Sequence, residues 1–183
     1  MTEFNRFQQI KREFFAFRNG LLADTLRRGG SPFKIIFGLN LPQIKEVASH
    51  YLPDKELATL LWENRSTRES RLIAPMLYPV DEMDKATAVS WINDISTSEV
   101  ADVAVHSLLK RLPYSKELIP ELMASESVWN RYIALRIMWS FLGNDTEMIE
   151  ELVKKEISYQ NSVTLRVAMQ LLDEIDFLKE QHH

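Results

Sequence analysis

At 183 residues, with a hydrophobic fraction of 45% and a net charge of −4, the chain has the size and composition of one globular domain spanning 1–183. The absence of cysteine excludes a disulfide framework, a thiolate zinc site and a cysteine nucleophile. No apolar run reaches the roughly 18 residues of a spanning helix, so no membrane partner is expected, and Met1-Thr2-Glu3-Phe4-Asn5-Arg6 lacks the apolar centre of a secretion signal, which favours a cytoplasmic location.

The charge is uneven. Residues 1–75 hold 12 Lys/Arg against 8 Asp/Glu, whereas 76–183 hold 10 against 18. Such a split suits either a basic face on an otherwise soluble acidic body or chance variation along the chain.

In chain order, Phe4, Phe7, Ile10, Phe14, Phe15, Phe17, Leu21, Leu22 and Leu26 recur at helical spacing, predicting an amphipathic cap over 1–34 with Thr2 as its N-cap and a break near Asn19-Gly20. Gly29-Gly30-Ser31-Pro32 stops it. Phe33 to Asn40 is the one strand-like run, and without a partner strand it reads as an ordered connection. Leu41 to His50 forms a short helix with Pro42 in its first turn, and Pro53-Asp54 starts another through Trp62. Ser66-Thr67-Arg68-Glu69 and Ser96-Thr97-Ser98-Glu99 both match a capping box, opening helices that run to about Tyr78 and Arg111, with Asp81 to Asp94 as the helix between. Ser115 to Ala124 pairs with Glu126 to Leu142, closed by Gly143 as a C-terminal cap, and Asn144 opens a last pair that breaks at Tyr159-Gln160-Asn161 and resumes through Lys179. Gln181-His182-His183 reads as a frayed end.

One helix outline recurs along this series. Ala74, Ala104, Ala134 and Ala168 occupy the same place in four apolar helical segments, at intervals of 30, 30 and 34 residues, each preceded by another helix across a short break. That is the signature of antiparallel helix pairs that bury their faces by stacking, so the expected class is all-α, an α-solenoid with repeats over 35–180.

Chemistry-bearing constellations are sparse. His50 and His106 stand in different repeats without a second ligand nearby, so no metal is expected, and no glycine-rich phosphate loop calls for a nucleotide cofactor. His106 reads as a partly buried structural residue. The positive signal is a set of cations at the starts of the second helices: Arg65, Arg68 and Arg71, then Arg131 and Arg136, then Arg166, with Lys110 and Arg111 ending the helix between. Together with helix-start amides they would make a phosphate track; otherwise they form solvated faces with i,i+4 ion pairs. Trp129, beside Arg131, is the better placed aromatic for such a surface, and Trp139 reads as core.

The run Phe37-Gly38-Leu39-Asn40-Leu41-Pro42-Gln43-Ile44-Lys45-Glu46-Val47-Ala48, followed by Leu60-Leu61-Trp62, Arg68-Glu69-Ser70-Arg71-Leu72-Ile73-Ala74, Trp91-Ile92-Asn93-Asp94-Ile95, Glu99-Val100-Ala101-Asp102 and Trp129-Asn130-Arg131, resembles the AlkD-like alkylpurine DNA glycosylases, the HEAT-like repeat family of DNA alkylation repair enzymes. The resemblance spans about 35–180 and implies a right-handed solenoid of HEAT-like helix pairs. It implies duplex DNA held by its backbone, with Arg131 as a phosphate contact, and excision of cationic N3- or N7-alkylpurines; taken with the helix-start cations, Arg68, Arg71, Trp129, Arg136 and Arg166 are the further expected DNA contacts, and no cofactor or metal is expected. Asp102 stands where the family keeps its catalytic carboxylate, which would stabilise the positive charge that builds on the deoxyribose. The sequence departs from the family at Ser98 and near Leu171, where the family has aromatic residues. The alternative function is a catalytically inactive scaffold that binds a protein partner.

Overall fold

A computed structural model describes residues 3–181, so the Thr2 cap and the terminal His182 and His183 lie outside the described residues. Eleven α-helices account for most of that span, and the chain divides between Met83 and Asp84 into two compact units. Among the described residues no helix is long and apolar enough to cross a membrane.

In the first unit, α1 (Glu3–Ala16) and α2 (Gly20–Arg28) are the two halves of the N-terminal amphipathic run. The chain breaks where Asn19 accepts a hydrogen bond from the Leu22 amide at 3.1 Å, capping α2. Helix α3 (Leu41–Ser49) opens with a reciprocal capping box between Asn40 and Gln43, with Pro42 in its first turn where its missing donor costs nothing. Asp54 caps α4 (Lys55–Glu63), which packs on α5 (Arg68–Leu77).

Helix α5 departs from its expected start. Thr67 makes no side-chain cap bond, and Glu69 turns away from the helix terminus. Its fully buried carboxylate accepts the backbone amides of Phe37, Gly38 and Leu39 at 3.1, 3.0 and 3.4 Å and the Arg68 guanidinium at 2.9 Å. The apparent capping box is therefore a long-range anchor for the 33–40 connection. That connection is irregular, as expected, with an isolated parallel bridge between Ile35 and Thr67, the residue just before α5. Gly38 is required in it: with φ of 84°, an added Cβ would lie 2.1 Å from the Asn19 carbonyl oxygen.

In the second unit, Asp84 caps α6 (Lys85–Asn93) through the Thr87 amide, after a short 3₁₀ turn at Val80–Glu82 that ends the first unit. Helix α7 (Ser98–Ser107) is capped by Thr97 bonding the Val100 amide, one residue later than the Ser96–Glu99 box predicts. It gives way to a 3₁₀ turn, Leu109–Arg111. Helices α8 (Ser115–Met123) and α9 (Val128–Met138) form one hairpin, and α10 (Thr146–Ser158) and α11 (Leu165–Gln181) the next. Helix α9 ends at Met138, with Trp139 at its C-cap, several residues before Gly143. Gly143 does not take the left-handed conformation of a glycine cap. Helix α11 remains helical to Gln181.

Helix α9 packs against both α7 and α11, each the second helix of its pair. All four landmark alanines are buried: Ala74 on α5, Ala104 on α7, Ala134 on α9 and Ala168 on α11. A small side chain at that point lets neighbouring helices approach closely, which is why the residue type recurs at the repeat interval.

Candidate nucleic-acid interface

The repeat interval that places Ala134 thirty residues after Ala104 also relates Asp102 to Tyr132, His106 to Arg136 and Lys110 to Ser140. Each set falls at i, i+4 and i+8, so each marks one face running off its helix: Asp102, His106 and Lys110 from α7 into the following turn, and Tyr132, Arg136 and Ser140 from α9 past its end. Because α7 and α9 pack together, the two faces meet, and all of these residues except the buried Tyr132 line a cleft of about 330 Å³, completed by Val105 and Trp139.

Asp102 links the two faces. Its Oδ1 accepts the Tyr132 hydroxyl at 3.0 Å and the Arg136 Nε–H at 2.8 Å. Tyr132 is buried, and its phenol is pushed up to about 12, chiefly by that burial and then by the adjacent Asp102 charge and hydrogen bond, with Arg136 pulling the other way. It is therefore a fixed neutral donor at physiological pH. Arg136 remains about one-third exposed and Asp102 slightly more so, so the pair sits at the cleft surface. Lys110 Nζ donates to His106 Nδ1 at 3.3 Å on the opposite wall. Trp139 adds an indole N–H that is buried and has no acceptor among the described residues. Apart from the one carboxylate, already paired, the charged groups around the cleft are the cations Arg136 and Lys110.

The other predicted contacts lie elsewhere. Arg68 and Arg71 are both buried inside the first unit, at 3% exposure. Arg68 donates to the Leu39 carbonyl and to Glu69, each at 2.9 Å, while Arg71 donates to the Trp62 carbonyl at 2.8 Å and stacks on the Trp62 ring at 3.6 Å. Burial removes both from a surface phosphate, a correction to the expected track: their position at a helix start is set by packing of the 33–40 connection and α4.

Arg131 is also turned inward. Its Nε donates to both oxygens of fully buried Glu156 at 3.2 and 3.0 Å, and its Nη1 reaches the carbonyls of Ser125 and Glu126 at 2.9 and 3.0 Å. Glu156 also accepts the Thr164 hydroxyl at 2.6 Å, so the pair ties the start of α9 to the α10–α11 hairpin. Trp129 is half-buried and meets Tyr132 edge-on at 5.9 Å, packing behind the cleft. Arg166 is exposed on α11. The structure thus brings together Asp102 and Arg136 from the predicted set.

Lys110, His106 and Trp139 complete the cleft; in the sequence Lys110 stands with the cation series, while His106 and Trp139 read as structural residues. His106 is exposed where a partly buried residue was expected, and Trp139 lines the cleft where core was expected. The signal that would have found them is the pair of i,i+4,i+8 sets one repeat apart. Among the described residues no three His, Asp or Glu side chains gather as metal ligands.

A series of helical hairpins packed on one another is the form of a HEAT-like repeat protein. A solved structure, described as belonging to a new family related to the HEAT-like repeat DNA glycosylases with affinity for branched DNA structures, matches over 90% of this chain and 73% of its own, with a TM-score of 0.78 at 17% identity. The family model described as DNA alkylation repair enzyme matches residues 10–174, and the chain belongs to that family. No curated protein matches.

Proposed function

We propose that this chain is a DNA-binding member of the DNA alkylation repair family, that the α7–α9 cleft takes a backbone phosphate, and that it does not excise bases. The observation that carries the reading is the lining of the cleft: Arg136 and Lys110 offer donors to an anion, while the single acid is already bound. A phosphate accepts from such a set, and with Arg136 already paired to Asp102 the net positive charge it meets is that of Lys110.

The same geometry argues against glycosylase chemistry. Losing a cationic purine leaves positive charge on the deoxyribose, and a carboxylate helps only if its own charge is available. The charge of Asp102 is spent on Arg136 at 2.8 Å, and Asp102 acts here as a positioning residue that holds the guanidinium at the cleft. Neither departure from the family is restored by a neighbour in the sequence: Ser98 is an exposed hydroxyl residue and Leu171 is buried in the core.

The test combines two readouts on the intact protein. Gel-shift titration at low salt should show binding to duplex DNA and to a four-way junction, the junction being included because the structural relative is described as having affinity for branched DNA. Incubation with duplex containing 7-methylguanine or 3-methyladenine should release no base. Base release abolished by Asp102→Asn would refute the non-excising part, and failure to retard either DNA at low salt would refute the binding.

A further inference from the structure

The N-terminal helix carries a second feature with the chemistry of nucleic-acid recognition. On α1, Phe7, Lys11 and Phe15 fall at i, i+4 and i+8 and so share one face, and Arg18 follows in the turn just past the helix end. Cations and rings alternate along this stripe and touch: Lys11 Nζ lies 5.3 Å from the Phe7 ring centre, and the Arg18 guanidinium carbon lies 3.9 Å from that of Phe15. Arg18 is fixed there by donating from Nη1 to the Phe15 carbonyl at 3.0 Å. Phe15 is 56% exposed, so its ring is accessible to a ligand.

The core does not require this arrangement. Ile10 and Phe14 are the α1 residues that are fully buried, and they point to the neighbouring face. The nearest acid is also directed elsewhere: Glu13 accepts from Tyr51 at 2.6 Å and pairs with His50 at 2.7 Å. Arg12 is exposed beside the stripe. What remains is a basic strip interleaved with aromatic rings and free of paired carboxylates.

We infer that the Phe7–Lys11–Phe15–Arg18 stripe is a contact for unpaired bases of a single DNA strand, separate from the α7–α9 cleft. A base has a π-face that stacks on a phenyl ring or a guanidinium plane whatever its identity, and the adjacent phosphates are matched by the cations. Phenylalanine brings no polar edge to read a Watson–Crick pattern, so the contact is tolerant of sequence. Charge complementarity selects this occupant: an apolar partner would leave Arg12, Lys11 and Arg18 unmatched. The inference rests on the proposed DNA-binding function and adds a strand-state preference to it.

The experiment compares fluorescence anisotropy on a plain duplex and on the same duplex extended by an unpaired arm, for wild type, Phe15→Ala and Phe15→Trp. Wild type should prefer the forked substrate. Phe15→Ala should lose about tenfold on the fork, the effect of one stacked base, with duplex affinity and far-UV circular dichroism unchanged. Phe15→Trp should retain or strengthen fork binding. A Phe15→Ala protein that binds the fork within twofold of wild type, while both bind duplex, overturns this inference alone. Wild type that binds neither substrate overturns the DNA-binding reading and this inference with it.

Discussion

Replacing Arg131 with alanine separates a structural brace from a DNA contact. Glu156 is fully buried and the Arg131 side chain is only 13% exposed, so the substitution leaves an interior carboxylate with the Thr164 hydroxyl as its remaining partner. It also strips the Ser125 and Glu126 carbonyls of a donor. Breaking a buried ion pair by removing one member costs about 3–5 kcal/mol. The residual exposure of Arg131 lets water reach the site, which places the cost near the lower end, about 3 kcal/mol. For a chain of this length that corresponds to a melting temperature lower by roughly 6–12 °C. Urea unfolding followed by far-UV circular dichroism reads it directly. Adding Glu156→Gln to Arg131→Ala should recover part of the loss, because the unpaired charge is gone, giving a coupling on the order of 1–3 kcal/mol in the double-mutant cycle. A loss below about 0.5 kcal/mol accompanied by a tenfold fall in duplex affinity would refute this reasoning and return Arg131 to the phosphate track.

Three further outcomes follow from the same geometry. Glu69→Gln removes the charge that holds Arg68 and weakens three amide bonds to the 33–40 connection, so it should destabilise the first unit by roughly 3 kcal/mol in chemical denaturation. Gly38→Ala must resolve a clash with the Asn19 carbonyl at a positive φ, and a loss of about 2 kcal/mol or more is expected in thermal unfolding; a neutral result would show that the connection can move. The third concerns the alkaline limb. The native Tyr132 phenol is pushed up to about 12 from the usual 10.0, so the unfolded chain releases this proton first. The stabilisation is complete below pH 10 and is lost as pH rises from there towards 12. Tyr51, raised by its burial and by Glu13, acts in the same direction. The difference in stability between wild type and Tyr132→Phe should therefore shrink across that range, and a difference that stays constant would count against the Tyr132 assignment.

The architecture was legible because helix pairing leaves a periodic trace. Ala74, Ala104, Ala134 and Ala168 each mark the buried point of a repeat, and the caps Asn40, Asp54 and Ser127 fall at expected helix starts, whereas α6 begins at the Asp84 cap after a 3₁₀ turn rather than at Asp81. Direction was not legible. An arginine near a helix start has the same spacing whether it faces solvent or a buried glutamate, and the choice at Arg68 and Arg131 was made by Glu69 and Glu156, the latter twenty-five residues away. Glu69 shows the same limit: it sits three residues after Ser66, as a capping box demands, yet long-range amides outbid the local helix end for its carboxylate. The cleft was half legible. Asp102 and Arg136 were recognised singly, but their meeting follows from comparing equivalent positions of successive repeats.

If the α7–α9 cleft holds a DNA phosphate, duplex affinity must depend on salt through Lys110 and Arg136. Plotting log affinity against log salt for wild type, Lys110→Ala, Arg136→Ala and the double variant should show the slope falling by about 0.9 for each phosphate contact removed. Folding should be unaffected, since both side chains lie at the cleft surface. A double variant whose slope and affinity equal those of wild type would contradict the account.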